Sequence, residues 1–191
     1  MRLFYAVFIP REIGEVVARA SVPLREIGMR ANWTIPANWH FTLRFMGEIA
    51  PGQLKFLEKA AKDCADRVPA FDLELSGMGV FRRGGIANLL WIGTDTGNTE
   101  LVRLAAELDD ALTRVGYGIR DRAFKPHLTL ARIKDSNCAA GSDNLLEKAL
   151  AAGRKMIAPG SIWPVTSFAL VESILKPSGP QYSIINKFEL Q

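Results

Sequence analysis

Two rhythms of apolar and polar positions alternate along this chain. Leu3–Ile9 is a run rich in aromatic and β-branched residues that stops at Pro10, as a strand does. Helical spacing follows over Glu12–Ile27, and Pro23 is expected to break it near its end. Asn32–Ile35 and Trp39–Met46 read as two short strands separated by Pro36. Pro51 suits a first helical position, and Leu54, Leu57, Ala61 and Cys64 then form one apolar helical face.

The second half repeats the order strand, helix, strands. Phe71–Phe81 and Asn88–Thr94 read as strands around the turn Arg82-Arg83-Gly84-Gly85. Asn98 can cap a helix whose face carries Leu101, Leu104, Leu108, Leu112 and Val115 and which Gly116 closes. Pro126 introduces a strand over His127–Ile133, and Leu145–Ala152 reads as a short helix. Phe168–Leu175 and Tyr182–Leu190 look like a hairpin around Lys176–Gln181. Helices mixed with this many hairpin signals predict an α+β fold, not a doubly wound parallel sheet. A length of 191 residues suits one domain spanning 1–191, built as two intimate lobes.

Composition narrows the class of partner more than it changes the fold. Hydrophobic residues make up 48% and charged residues 23%, enough apolar surface for a core. The net charge is +4, which suits an anionic substrate without demanding one. Cys64 and Cys138 lie far apart with no CxxC, so two reduced thiols in a cytoplasmic protein are expected. The first apolar run is too short for a membrane span and is followed by Pro10, Arg11 and Glu12, so it is read as a strand and not a signal peptide.

The chemistry lies in a repeat of four residues. The chain has 2 histidines, and both stand in a His-x-Thr-Leu unit, His40-Phe41-Thr42-Leu43 and His127-Leu128-Thr129-Leu130. A lone His-x-Thr carries no information; both histidines sharing the pattern is a strong signal. On a strand, residues i and i+2 share a face, so each histidine projects with its threonine while each leucine points into the core. Two imidazoles and two hydroxyls suit a phosphodiester. The hydroxyls donate to its non-bridging oxygens, one imidazole takes a proton from the attacking oxygen, and the other gives one to the leaving oxygen. Histidine can do either near neutral pH. Zinc needs at least three good ligands, and neither HExxH nor Cys/His spacings occur, so no metal is expected. Gly77-Met78-Gly79 and Gly84-Gly85 lack the Lys-Ser/Thr of a nucleotide-binding loop, and no cofactor is expected.

Cations and aromatics flank the units. Arg44 shares parity with His40 and Thr42, which puts it in the groove as a substrate contact. Arg132 has the wrong parity and reaches the site only from a strand end or across a β-bulge. Lys125 precedes the second unit, and Trp39, Phe41 and Phe124 border the pair; Phe41 and Lys125 are further candidate contacts.

At these residues the chain resembles the two-histidine phosphoesterases, and within them the RNA 2′,3′-cyclic phosphodiesterases, also called 2′-5′ RNA ligases. Arg2–Pro10, Asn38–Glu48 and Phe124–Arg132 are similar to the family's segments, as are Gly77–Phe81 with Leu90-Trp91, and Ser173 with Gly179–Tyr182. The resemblance implies a bilobal, pseudo-symmetric fold with two antiparallel sheets lining a central groove and helices outside. It implies RNA ends or nucleotides bearing a 2′,3′-cyclic phosphate as substrate, opened to a 2′-phosphomonoester. It makes His40 the proton donor and His127 the proton acceptor, and gives phosphate binding to Thr42, Thr129 and Arg132. No membrane partner is implied, and a monomer is expected. Ile157–Trp163 and the loop Lys134–Asp143 are where substrate preference is expected to vary. The alternatives are 2′-5′ RNA ligation, the reverse reaction at the same site, and a non-catalytic RNA-end or nucleotide-binding module, which would need neither histidine.

Overall fold

The structure is a computed structural model; it describes residues 1–191 apart from 29, 119, 121, 135–141, 158, 159 and 178, and the side chains of 142 and 143. Most of the Lys134–Asp143 loop, with Cys138, and part of Ile157–Trp163 lie outside the described residues. The strands are β1 (Arg2–Phe8), β2 (Ala31–Trp33), β3 (His40–Glu48), β4 (Phe71–Arg83), β5 (Ile86–Thr94), β6 (Leu128–Ile133), β7 (Ile162–Val165), β8 (Ser167–Lys176) and β9 (Gly179–Glu189). The helices are α1 (Arg11–Glu26), α2 (Leu54–Ala65), α3 (Asn98–Arg114) and α4 (Ser142–Met156).

The strands pair antiparallel in the order β7-β4-β5-β6-β3-β1-β8-β9, with β2 beside β6. The α+β class stands. The two expected sheets are joined edge to edge through β3 and β6, at the pair Phe41↔Leu128. Four strands of this order lie on either side of the seam, β6, β5, β4 and β7 on one and β3, β1, β8 and β9 on the other.

Alternation along β1 separates the two faces. Leu3, Tyr5 and Val7 enter the large core that also holds Val17 of α1, Leu57 of α2, Leu104 of α3 and Leu150 of α4. Phe4 and Ala6 point the other way, into a small cluster with Ala169 and Val171 that contains no helix residue. The helices therefore cover one face of the sheet, and the opposite face is open. On α3 the predicted stripe Leu101, Leu104, Leu108 and Leu112 is fully buried, each side chain contributing about 1.5–3 kcal/mol by burial.

The structure departs from the sequence reading in several local details. Pro23 lies inside α1 without ending it; the hydrogen bond it cannot donate would go to the carbonyl of exposed Arg19, and fully buried Leu24 anchors the last turn. Gly97 (φ +77°), not Asn98, caps α3. A Cβ at Gly97 would lie 2.0 Å from the Asp72 carbonyl oxygen, so only glycine fits there. The helix α4 extends beyond Leu145–Ala152 at both ends. Ile162–Val165 is a strand, β7, pairing with Phe71–Glu74; its Pro164 is tolerated because the strand is at the sheet edge. The β4–β5 turn narrows to Gly84-Gly85, both at positive φ, as a two-residue hairpin turn requires.

Candidate active site

The seam builds the site. Carrying the antiparallel Phe41↔Leu128 register one residue each way sets His40 against Thr129 and Thr42 against His127. Phe41, Leu43, Leu128 and Leu130 are at most 1% exposed on the helix-covered face. Both histidines and both threonines therefore face the open side, around one local two-fold axis. They line a single groove of about 560 Å³ together with Arg132. A separate cavity of about 320 Å³, bordered by Ile9, Pro164, Ser167 and Lys187, holds none of these residues.

The leucine of each unit does more than fill the core. Against β1, Thr42 pairs with Ala6 and Arg44 with Tyr5, so Leu43 is an extra residue in β3. Against β5, Thr129 pairs with Trp91 and Ala131 with Leu90, so Leu130 is an extra residue in β6. Each is a β-bulge, and each inverts side-chain parity beyond it. Arg132 thereby turns into the groove, by the route the sequence left open for it. The same device removes Arg44. Parity beyond Leu43 sends Phe45 to the groove instead, while Arg44 turns to the helix side.

There Arg44 is tied down. Its Nη1 donates to Asp109 Oδ1 of α3 at 3.0 Å and its Nη2 to the Gly118 carbonyl at 2.6 Å. Arg120 donates through Nε to the other oxygen of Asp109 and through Nη2 to the Ala105 carbonyl at 3.1 Å. Asp109 thus bridges the strand of the first unit to the segment leading into the second. The other two proposed contacts are also placed elsewhere. Phe41 is fully buried, its ring stacked 6.4 Å from Trp163. The Lys125 side chain is exposed and outside the groove lining.

Lys125 contributes through its backbone instead. His127 Nδ1 lies 2.7 Å from the Lys125 carbonyl, and His40 Nδ1 lies 2.7 Å from the Asn38 carbonyl. A carbonyl can only accept, so each Nδ1 carries a hydrogen and donates it. The neutral rings then keep a lone pair on Nε2. At His40 that atom accepts from the Thr42 hydroxyl, 2.9 Å away. His40 also sits among three rings, with Phe4, Tyr182 and Phe8 centroids at 5.0, 5.4 and 5.5 Å; His127 packs edge-on against Phe81 at 5.1 Å. Burial pushes the His40 pKa down to about 4, with the nearby His127 adding to the effect. Burial lowers that of His127 as well, and Arg132 opposes a second positive charge there.

Sequence reasoning missed Tyr182, Phe45 and the aromatic ring set around His40. The Gly179–Tyr182 segment was visible as a landmark, but its place in the groove depends on β9 returning beside β8, and β8 beside β1. Phe4 and Phe8 had a signal, their parity on the first strand.

The depressed pKa of His40 sets a pH dependence of stability. In the unfolded chain the ring titrates near about 6.5, whereas in the fold it stays neutral down to about 4. The unfolded state binds the extra proton between these values, so stability should fall as pH drops through that window. The contribution is no more than about 3 kcal/mol, because the ring borders solvent in the groove. Urea unfolding between pH 7 and pH 4 should show a steeper loss in the wild type than in His40→Gln; parallel curves would mean that the ring is not held neutral.

A sheet whose midline carries paired His-x-Thr units facing one groove is the arrangement of the two-histidine phosphoesterases. The chain belongs to the 2′-5′ RNA ligase superfamily, whose family model matches residues 36–175. It is 32% identical over 202 positions to the RNA 2′,3′-cyclic phosphodiesterase of Thermus thermophilus, covering 100% of this chain and 91% of that protein. With the enzyme of the same name from Aeropyrum pernix the identity is 34% over 174 residues, 88% of each chain. The crystal structure of TT0787 of Thermus thermophilus superposes with a TM-score of 0.80 at 30% identity, covering 100% of this chain and 98% of that one. That of E. coli LigT complexed with 3′-AMP gives 0.75 at 25% identity, covering 99% and 97%.

Proposed function

We propose that this chain is an RNA 2′,3′-cyclic phosphodiesterase, hydrolysing a terminal 2′,3′-cyclic phosphate to a 2′-phosphomonoester with release of the 3′-oxygen. The observation that carries this reading is the seam register, which turns two imidazoles and two hydroxyls toward one groove. Similarity to enzymes bearing that name supports it. Residues 1–191 act as one bilobal domain, a monomer working in the cytoplasm; among the described residues no helix is long and apolar enough to cross a membrane.

In this reading His127 takes a proton from the attacking water and His40 delivers one to the departing 3′-oxygen. A neutral His127 suits a base, and burial, aided by the Arg132 charge beside it, favours the neutral ring. His40 needs a proton that burial disfavours. A bound phosphate anion reverses that balance, because a nearby negative charge favours imidazolium. Protonation at Nε2 also ends the acceptance of the Thr42 hydroxyl. The hydroxyl hydrogen is then free for a phosphate oxygen, so charging the acid and gripping the phosphate occur together. Thr129 and Arg132 complete the grip. Among the described residues no three His, Cys, Asp or Glu side chains cluster as a metal site would need. Ligation would use the same groups; water prevails unless an RNA 5′-hydroxyl is held in place.

Thr42→Ala and Thr129→Ala should each weaken transition-state binding by about 1.5–3 kcal/mol through loss of one donor to a charged phosphate. Thr→Ser should be much milder in steady-state kinetics; equal damage from Ser and Ala would assign the methyl group, not the hydroxyl. The function itself is tested by product analysis on a defined RNA ending in a 2′,3′-cyclic phosphate, with and without exhaustive EDTA. A 2′-phosphate should form in both arms. A 3′-phosphate product, no turnover, or activity abolished by chelation would overturn the reading.

A further inference from the structure

We propose that Lys134 and Lys176 form a second phosphate site in the groove. It holds a phosphate ester on the 5′-oxygen of the terminal nucleoside, so that substrates carrying this second phosphate are preferred over a cyclic nucleotide without it. The inference rests on the cyclic phosphodiesterase reading above.

Both lysines line the groove that holds the two histidines. Lys134 lies two residues beyond Arg132, just after β6, and its backbone N–H donates to the Arg30 carbonyl at 2.9 Å. Lys176 ends β8 on the opposite wall. The start of β9, which pairs with Lys176, is tied to the turn that leads into β3, because Asn38 Nδ2 donates to the Pro180 carbonyl at 3.0 Å. Asn38 is also the residue whose carbonyl orients His40, so this wall and the acid share one support.

Charge supplies the argument. Among the described residues, none that lines the groove is acidic, while Arg132, Lys134 and Lys176 all face it. A cyclic phosphodiester carries a single negative charge, and Arg132 with the two threonine hydroxyls already answers it. Two lysines beside Arg132 along one groove raise its positive potential, and no acidic residue among the described lining offsets it. A second phosphate offsets that potential, and lysine binds phosphate as a compact point charge. The required chemistry is a phosphate ester at the 5′-oxygen of the terminal nucleoside. It can come from an internucleotide linkage or from a 5′-phosphomonoester.

Three molecules distinguish these sources: adenosine 2′,3′-cyclic phosphate, its 5′-phosphorylated form, and the dinucleotide ApA ending in a 2′,3′-cyclic phosphate. Both molecules with a second phosphate should exceed the first in kcat/KM by at least about tenfold, and added salt should erode the difference. Lys134→Ala with Lys176→Ala should abolish the ratio, and Lys→Arg at both positions should keep it. Equal kcat/KM for all three molecules, an advantage confined to the dinucleotide, or a ratio that survives the double alanine would each overturn the proposal. Equilibrium binding of the same three molecules reads the lysines separately from turnover. If no product forms from any of them, the assigned activity fails, while the lysine site stands or falls on its binding ratio.

Discussion

Replacing either histidine by alanine should lower kcat/KM on a 2′,3′-cyclic phosphate by roughly 10²–10⁴-fold, the worth of one proton-transfer step. The double mutant should lose less than the product of the single losses, because both rings serve one displacement. The wild-type rate should follow a bell in pH, its limbs belonging to the coupled pair and not to either ring alone. The singles should also separate by substrate. A derivative with a very acidic leaving oxygen needs little protonation. It should restore His40→Ala far more than His127→Ala, since only the first lacks the proton donor. Equal restoration would reverse or erase the assigned roles. Near-wild-type rates in either mutant on the ordinary substrate would end the two-histidine mechanism.

Asp109→Ala should lower unfolding free energy by about 3–5 kcal/mol, the cost of stranding partly buried charges. Two arginines share this carboxylate, and the three side chains are only 12–17% exposed. Arg44→Met should cost much less, because Asp109 keeps Arg120 and the methionine can pack on the helix-covered face. Denaturant midpoints at pH 7 provide the measurement. A loss below about 1 kcal/mol from Asp109→Ala would mean that solvent screens the cluster as it screens a surface pair.

How much of this was legible in the sequence depends on the length scale. The paired His-x-Thr-Leu units, the strand periodicity around them and the stripe on α3 are local signals, and the structure places those residues as the pattern required. Parity failed one step further along, at Arg44, since a β-bulge is a relation between two strands and leaves no mark in one of them. The same relation at Leu130 brought Arg132 into the groove, where naive alternation excluded it. Successive buried residues Leu130 and Ala131 are the trace of that bulge, and they are visible only after folding. The groove positions of Tyr182 and Lys176 were beyond reach for a related reason: their hairpin was legible, but it reaches the groove only because β8 pairs with β1, more than 100 residues away in the chain, and no local pattern encodes that pairing.

The strand order has a consequence for biosynthesis. β1 keeps one side unpaired until β8, some 160 residues further along the chain, emerges to meet it. Around His40 the ring of Tyr182 is missing until the final hairpin closes. A ribosome-bound chain truncated before that hairpin therefore presents an open strand edge where the finished enzyme has a catalytic wall, the kind of surface on which nascent chains associate or recruit chaperones.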